Sequence, residues 1–263
     1  MRKTDLLPRT VRPALPIFIL LGTLRLAGAQ GTNPASASTN SVPIRPKDPW
    51  ETTAALGITL TRGNSKTFLG TLTLDSKRKW DGNEVLLGAA AGYGEDHDVK
   101  NTEFANGYGQ YNRLFSDRFY AGLRLSANYD GIAGLQYRIE VSPLAGYYLV
   151  KQTNTTFKVE AGPSAVFEKH LGENEKTYAG LRLGERFEHK LSATTKIWES
   201  VDYVPRVDEW THKYIITSEA GIDSAINKHW SLRLVLQDIY DSNPTPGRLR
   251  NDMRLIAGTA YKF

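Results

Sequence analysis

The chain has 263 residues, 40% hydrophobic and 23% charged, with 33 Lys and Arg against 28 Asp and Glu and no cysteine. The lack of cysteine excludes a disulfide framework, thiolate metal sites and a lipid anchor on a cysteine thiol. The net charge of +5 is concentrated at the front: five basic residues and one acidic residue lie in the first 29, which leaves 28 basic against 27 acidic, a net of +1, and no case for a nucleic-acid partner.

Residues 1–29 read as a secretory signal. Arg2, Lys3, Arg9 and Arg12 precede an apolar run, Ala14 to Leu24, of 11 residues. That run is too short to span a bilayer as a helix. Ala27-Gly28-Ala29 has the small-x-small form of a cleavage site, so cutting is expected after Ala29, with export through the general secretory pathway. Residues 30–49 are rich in Ser, Thr, Asn, Ala and Pro and read as a flexible periplasmic lead-in. Residues 50–263 form one β domain.

From Trp50 onward, hydrophobicity alternates with a period of two, segment after segment. Residues 50–61 place Leu56 and Ile58 on one face and Gly57 and Thr59 on the other. The turn RGNS follows. Residues 66–80 set Phe68, Leu72, Leu74 and Trp80 against Thr71, Thr73, Asp75, Lys77 and Lys79. Asp81-Gly82-Asn83 is a second tight turn, and residues 84–94 oppose Val85, Leu87 and Tyr93 to Gly88, Gly92 and Gly94. Further strands are predicted at 103–113, 119–130, 136–150, 155–168, 176–191, 195–207, 213–226, 230–241 and 251–263. Connections alternate between short (DGN, LFSD, KQTN, SATT, NKH) and mostly longer and polar (GEDHDVKNT, DGIAGL, KHLGENE, DEWTH, SNPTPGRLRN). About twelve strands in this arrangement predict an all-β fold, a transmembrane antiparallel up-and-down β-barrel in a bacterial outer membrane. Closure is required because an open edge would leave backbone groups unpaired in hydrocarbon.

Aromatic residues gather at two levels on the apolar parity: Trp50, Trp80, Phe119, Trp230 and Phe263 beside the short turns, and Tyr93, Tyr129, Tyr137, Phe167, Tyr203, Tyr214 and Tyr240 near the other ends. Two girdles flanking an apolar band suit a membrane span. Leu56, Leu72, Leu87 and Leu234 are expected to face lipid, where arginine is costly. Changes at Thr71 or Gly92, on the lumen face, are expected to cost less unless packing there is tight. Glu185 and Glu199 fall on the apolar parity, which predicts either a bulge or a position near a rim.

The last strand carries Leu255, Tyr261 and Phe263 at alternate positions and looks like the signal read by the outer-membrane assembly machinery. That machinery, outer-membrane lipid and lipopolysaccharide are the expected partners. The hairpin Thr61, Gly63, Asn64 and Ser65, in TRGNS, resembles a hairpin near the start of the salt-induced outer-membrane proteins, a group carrying a domain of unknown function. The segment around Tyr137-Arg138, Pro143, Gly146 and Tyr147, and the strand TKIWESVDYVP from Thr195 to Pro205, extend the resemblance over 50–263. The resemblance implies fold and location; it brings no activity, cofactor or catalytic residue.

No catalytic, cofactor or metal site is predicted. His170 and His189 lack the spacing of an outer-membrane phospholipase, and the acids and histidines at Asp96-His97-Asp98 and Asp208, Glu209, His212 suit solvated loops better than an omptin-like protease. Loops of about five to ten residues also disfavour a surface receptor. Charges expected to point into the lumen are Lys77, Arg124, Arg138, Glu140, Glu160, Arg182, Arg186, Asp202, Glu219, Arg233 and Arg254, with Asp75, Lys79, Lys158, Glu188, Lys196, Arg206, Asp223 and Gln237 on the same parity. Such residues either line a narrow pore or pair across the lumen and plug it. The function expected is envelope integrity or stress response, with passage of small solutes or ions, against a rim enzyme as the competing class.

Overall fold

The computed structural model describes residues 50–61, 67–244 and 250–263; the expected signal and lead-in, and hairpin residues Gly63, Asn64 and Ser65, lie outside them. Among the described residues the named elements are twelve strands and no helix: β1 (Glu51–Thr61), β2 (Thr67–Trp80), β3 (Asn83–Asp96), β4 (Val99–Leu114), β5 (Phe119–Asp130), β6 (Leu135–Lys151), β7 (Thr155–His170), β8 (Lys176–Lys190), β9 (Thr195–Pro205), β10 (Tyr214–Ala225), β11 (Trp230–Asp241) and β12 (Asn251–Lys262). Each pairs antiparallel with its neighbours in sequence, and β12 returns to β1 to close a barrel.

The alternation dictates which way each side chain points. Leu56, Leu72, Leu123 and Leu232 face outward and are 50–56% exposed, whereas Glu160 and Arg182 on the inner face are 7% and 4% exposed. A soluble barrel would show the opposite sorting, so the medium around this one is hydrocarbon. The belt is bounded by aromatic clusters. At one end Trp230, Tyr261 and Phe263 stack edge-on at 5.0 Å, and Phe157 meets Phe187 at 6.4 Å. At the other, Tyr203, Tyr214 and Tyr240 stack in series at 5.6 and 5.8 Å. We call these the turn end and the loop end.

One expected loop is absent. GEDHDVKNT was read as a polar connection, but β3 runs to Asp96 and β4 begins at Val99, leaving a two-residue hairpin. His97 and Asp98 both adopt positive φ, 50° and 63°, the conformation that a tight hairpin needs. Polar residues concealed the strands because their side chains stand above the belt, where alternation no longer carries an apolar signal. The ladder shifts register between Gly94 and Glu95 and at three places on β6 and its β5 partner, including Leu135/Tyr137.

One seam is interrupted and another is short. Pairing between β6 and β7 lapses between Val141↔Ala165 and Ala145↔Ala161, beside Pro143 and Pro163, which cannot donate to the ladder. Gly162 allows the close approach here, since a Cβ would come within 2.0 Å of the Pro143 carbonyl. The closing seam is also short. β1 is in register with β2 over eleven residue pairs, Glu51 to Thr61, but with β12 over four, Thr53↔Lys262 to Leu56↔Thr259.

Candidate functional site in the lumen

Glu160 on β7 is the centre of the inner network. One carboxylate oxygen accepts from Tyr120 at 2.7 Å, Gln110 at 2.8 Å and Lys158 at 2.9 Å; the other accepts from Arg182 at 2.9 Å. Arg182 continues to Asp202 on β9. Arg124 donates to Gln110 at 3.0 Å and lies over the Tyr108 ring at 4.0 Å, with Asp202 3.9 Å away. Nearer the turn end, Glu84 accepts from Asn112 at 2.9 Å and pairs with Lys79 at 2.7 Å, and Tyr148 donates to it at 3.2 Å. Tyr120, Leu144 and Tyr148 pack beside it as an apolar cluster, with Asn112 and Ser142 fully buried. The β3–β7 side of the barrel is thus filled at this end.

On the other wall Arg233 bridges Asp223 at 3.0 Å and Asp75 at 2.8 Å. Glu219 accepts from the Trp198 indole at 2.7 Å and from Gln237 at 2.9 Å. Arg186 pairs with Glu188 at 2.8 Å, Lys77 lies 3.4 Å from Glu51, and Glu140 accepts from Ser142 at 2.7 Å. Towards the loop end, Arg138 joins Glu168 at 2.8 Å to Asp241 at 3.1 Å, and Arg254 pairs with Asp130 while lying over Phe104 at 4.1 Å.

Inward aromatics lie flat on glycines of the adjacent strand. A Cβ on Gly88 would meet Tyr108 at 2.3 Å; on Gly92, Phe104 at 2.4 Å; on Gly146, Tyr120 at 2.2 Å; on Gly221, Trp198 at 2.1 Å. Three of these rings then carry an arginine on or beside them: Arg124 on Tyr108, Arg254 on Phe104, Arg233 on Trp198. The glycine makes room, the ring covers bare backbone, and the guanidinium is held close to the wall.

What remains open is a cavity of about 610 Å³. At the turn end its lining includes Glu51, Lys77, Lys196 and Lys262, and at the loop end Ile132, Pro244 and Arg250. It therefore runs from one end of the barrel to the other. Glu84, Asn112, Tyr120 and Tyr148 do not line it. At the turn end the passage is thus displaced away from the filled wall, while nearer mid-height Gly88, Tyr108, Arg124 and Glu160 of β3–β7 line it too.

All eleven charges singled out from the sequence sit on the inner face; Arg124, Glu160, Arg182 and Asp202 share one network, and the other seven fall in the separate pairs and bridges above. Sequence reasoning missed Glu84, Gln110, Asn112, Tyr120, Tyr148 and Trp198. Inward parity alone would have found Glu84 and Trp198; the hub role of neutral donors depends on cross-strand register. Arg206 lies instead beyond the end of β9, pairing with Asp208 in the following loop at 2.8 Å. That bond holds the Asp208 carboxyl below the usual carboxylate range. In the same loop Glu209 pairs with Lys213 at 2.8 Å, and His212 contacts the Thr211 hydroxyl. Asp96 and His97 are 2.9 Å apart, but on the β3–β4 hairpin, six strands around the ring from the loop that carries Asp208, Glu209 and His212. No cluster of three or more His, Asp and Glu placed to hold a metal occurs among the described residues.

Glu185 and Glu199 face outward, on adjacent strands, with no register shift between β8 and β9. Glu199 is the fifth residue of its strand from the turn end, close to the aromatic girdle at Phe187.

The chain is similar in outline to solved barrels. The translocator domain of the autotransporter NalP from Neisseria meningitidis aligns at 14% identity over 81% of this chain and 87% of that one, with a TM-score of 0.43. The NanC porin aligns at 6% identity over 81% and 96%, TM-score 0.46, and the KdgM porin at 11% over 82% and 99%, TM-score 0.43. A comparison with curated proteins finds no match. A family model described as "Protein of unknown function, DUF481" matches residues 54–263, the whole of the barrel from the fourth residue of β1 onward. The chain belongs to the DUF481 family.

Proposed function

We propose that this protein is a bacterial outer-membrane barrel enclosing a narrow, water-filled pore for small solutes or ions, exported as a precursor and serving the envelope under salt or osmotic stress. The observation that carries the reading is the cavity that reaches both ends of the barrel between paired charges. A cavity of about 610 Å³ distributed along the barrel between charged side chains suits water and small ions rather than a folded chain. Mixed charges already paired with one another stiffen such a wall and leave weak selectivity.

Planar-bilayer recording of the refolded barrel tests this. Small, steady unitary currents are expected, and substitution of Arg233 or Lys196 by glutamate should shift the reversal potential towards cation preference. Silence of well-folded barrels in the bilayer would sink the pore reading. The stress role is tested separately, by growth of a deletion strain at raised salt; growth equal to the parent would remove it. We take the rim residues to be structural rather than catalytic, since the acids and histidines there are separated or engaged with Arg206 and Lys213. The outward row Leu255, Tyr261 and Phe263 is the surface proposed to meet the assembly machinery. Changing Phe263 to Asp should lower outer-membrane yield in cells far more than refolding in detergent, and normal yield would refute that role.

A further inference from the structure

We infer that the outer surface of β1–β4 at the turn end is a binding site for an anionic phospholipid, its headgroup phosphate held by Arg78 and Arg113. Arg78 occupies an outward position between Leu74 and Trp80 on β2, in the row where every other outward residue of the strand is apolar, small or aromatic. Its guanidinium lies 5.9 Å from the Trp50 ring and 5.1 Å from the Trp80 ring, and its Nε is buried without a hydrogen-bond partner. Both rings lie within cation–π reach of the guanidinium.

Arg113 reinforces it. The register places Trp80, Asn83 and Arg113 in one outward row and Arg78, Val85 and Tyr111 in the next. The Arg113 Nη1 contacts only neutral acceptors, the Asp81 carbonyl at 3.1 Å and Asn83 Oδ1 at 3.1 Å, and Tyr111 donates to the same Asn83 oxygen at 2.7 Å. Neither row contains a carboxylate; Asp81 lies beyond them, in the turn. Outward acids lie elsewhere: Glu185 and Glu199 on β8 and β9 across the ring, and Asp238 on β11 and Glu103 on β4 towards the loop end. Two cations framed by tryptophan and tyrosine at the level of a girdle meet the interfacial layer, where phosphate is the acceptor that matches a planar guanidinium. A carboxylate-bearing solute would not reach this surface, because it is the lipid-facing side of the barrel.

The inference rests on the membrane-barrel reading, and the test separates the two. The full chain is refolded in non-ionic detergent, and a heat-modifiable band on gels reports whether the barrel has formed. Native mass spectrometry then measures retention of dioleoyl phosphatidylglycerol, with dioleoylglycerol as the same chains without phosphate and inorganic phosphate as competitor. Folded R78Q/R113Q should bind phosphatidylglycerol about tenfold more weakly than the parent. R78K/R113K should recover part of the loss, and E185Q/E199Q should leave it unchanged. Equal retention by folded R78Q/R113Q would overturn the site, as would equal binding of dioleoylglycerol. Displacement of the lipid by inorganic phosphate would overturn its assignment to a phospholipid.

Discussion

Four donors converge on the single carboxylate of Glu160, two of them cationic. Replacing it with leucine leaves Lys158 without its ion-pair partner and Arg182 with Asp202 alone. Loss of one partner from a buried pair costs about 3–5 kcal/mol. Glu160→Leu should therefore lower the urea midpoint of the detergent-folded barrel markedly, and Glu160→Gln, which keeps the acceptor oxygen, should lower it less; equal losses would show that charge outweighs hydrogen bonding here. Gly146 makes a sharper demand. A Cβ there would overlap the Tyr120 ring, so Gly146→Ala should destabilise by about 1–3 kcal/mol, and Tyr120→Leu in the same chain should restore part of it. Gly92 is tightly packed in the same way, against Phe104, which meets the condition under which a lumen-face change becomes costly. The side of the sheet each charge occupies was legible from parity. The glycine beneath each ring was not, because it lies on a neighbouring strand and is found only once the register is known.

Strands were legible wherever they cross the apolar belt, since lipid on one side and charge on the other impose a period of two on the residues themselves. They were illegible above the belt, where β3 and β4 continue as polar residues to the His97-Asp98 hairpin. Both hairpin residues hold positive φ, which Asn and Gly tolerate better. H97N/D98G is expected to raise stability by about 0.4–1 kcal/mol, read as a higher urea midpoint; a fall would mean that the His97–Asp96 contact matters more than backbone strain. Outward leucines give the opposite sign. Leu72→Arg or Leu234→Arg should cost about 2–4 kcal/mol. Glu199→Leu should stabilise the barrel in bilayers, because it replaces an outward acid with an apolar side chain near the girdle, and destabilisation would show that its carboxylate reaches the interface. At Glu185 and Glu199 the expected bulge is absent, since the β8–β9 pairs from Leu183↔Tyr203 to Lys190↔Lys196 keep one register.

For the whole molecule, twelve strands set a lumen between the filled interior of eight and the open channel of sixteen. The number and the closure followed from counting alternating segments. The off-centre opening at the turn end did not, because it depends on which wall gathers the bulky side chains there, and β5 and β6 contribute Tyr120 and Tyr148. The closing seam completes this picture. With four residue pairs between β1 and β12 against eleven between β1 and β2, the ring has one joint far weaker than its neighbours. Cysteines at the registered positions Ala55 and Ala260, in a chain with no other thiol, should bond and raise the temperature at which the gel band shifts; an unchanged shift would mean that opening starts elsewhere. The joint acts as a clasp. Strain is expected to part it first, so that the lifetime of the barrel in the membrane would depend on a short stretch of backbone near the turn end, Thr53 to Leu56 against Thr259 to Lys262.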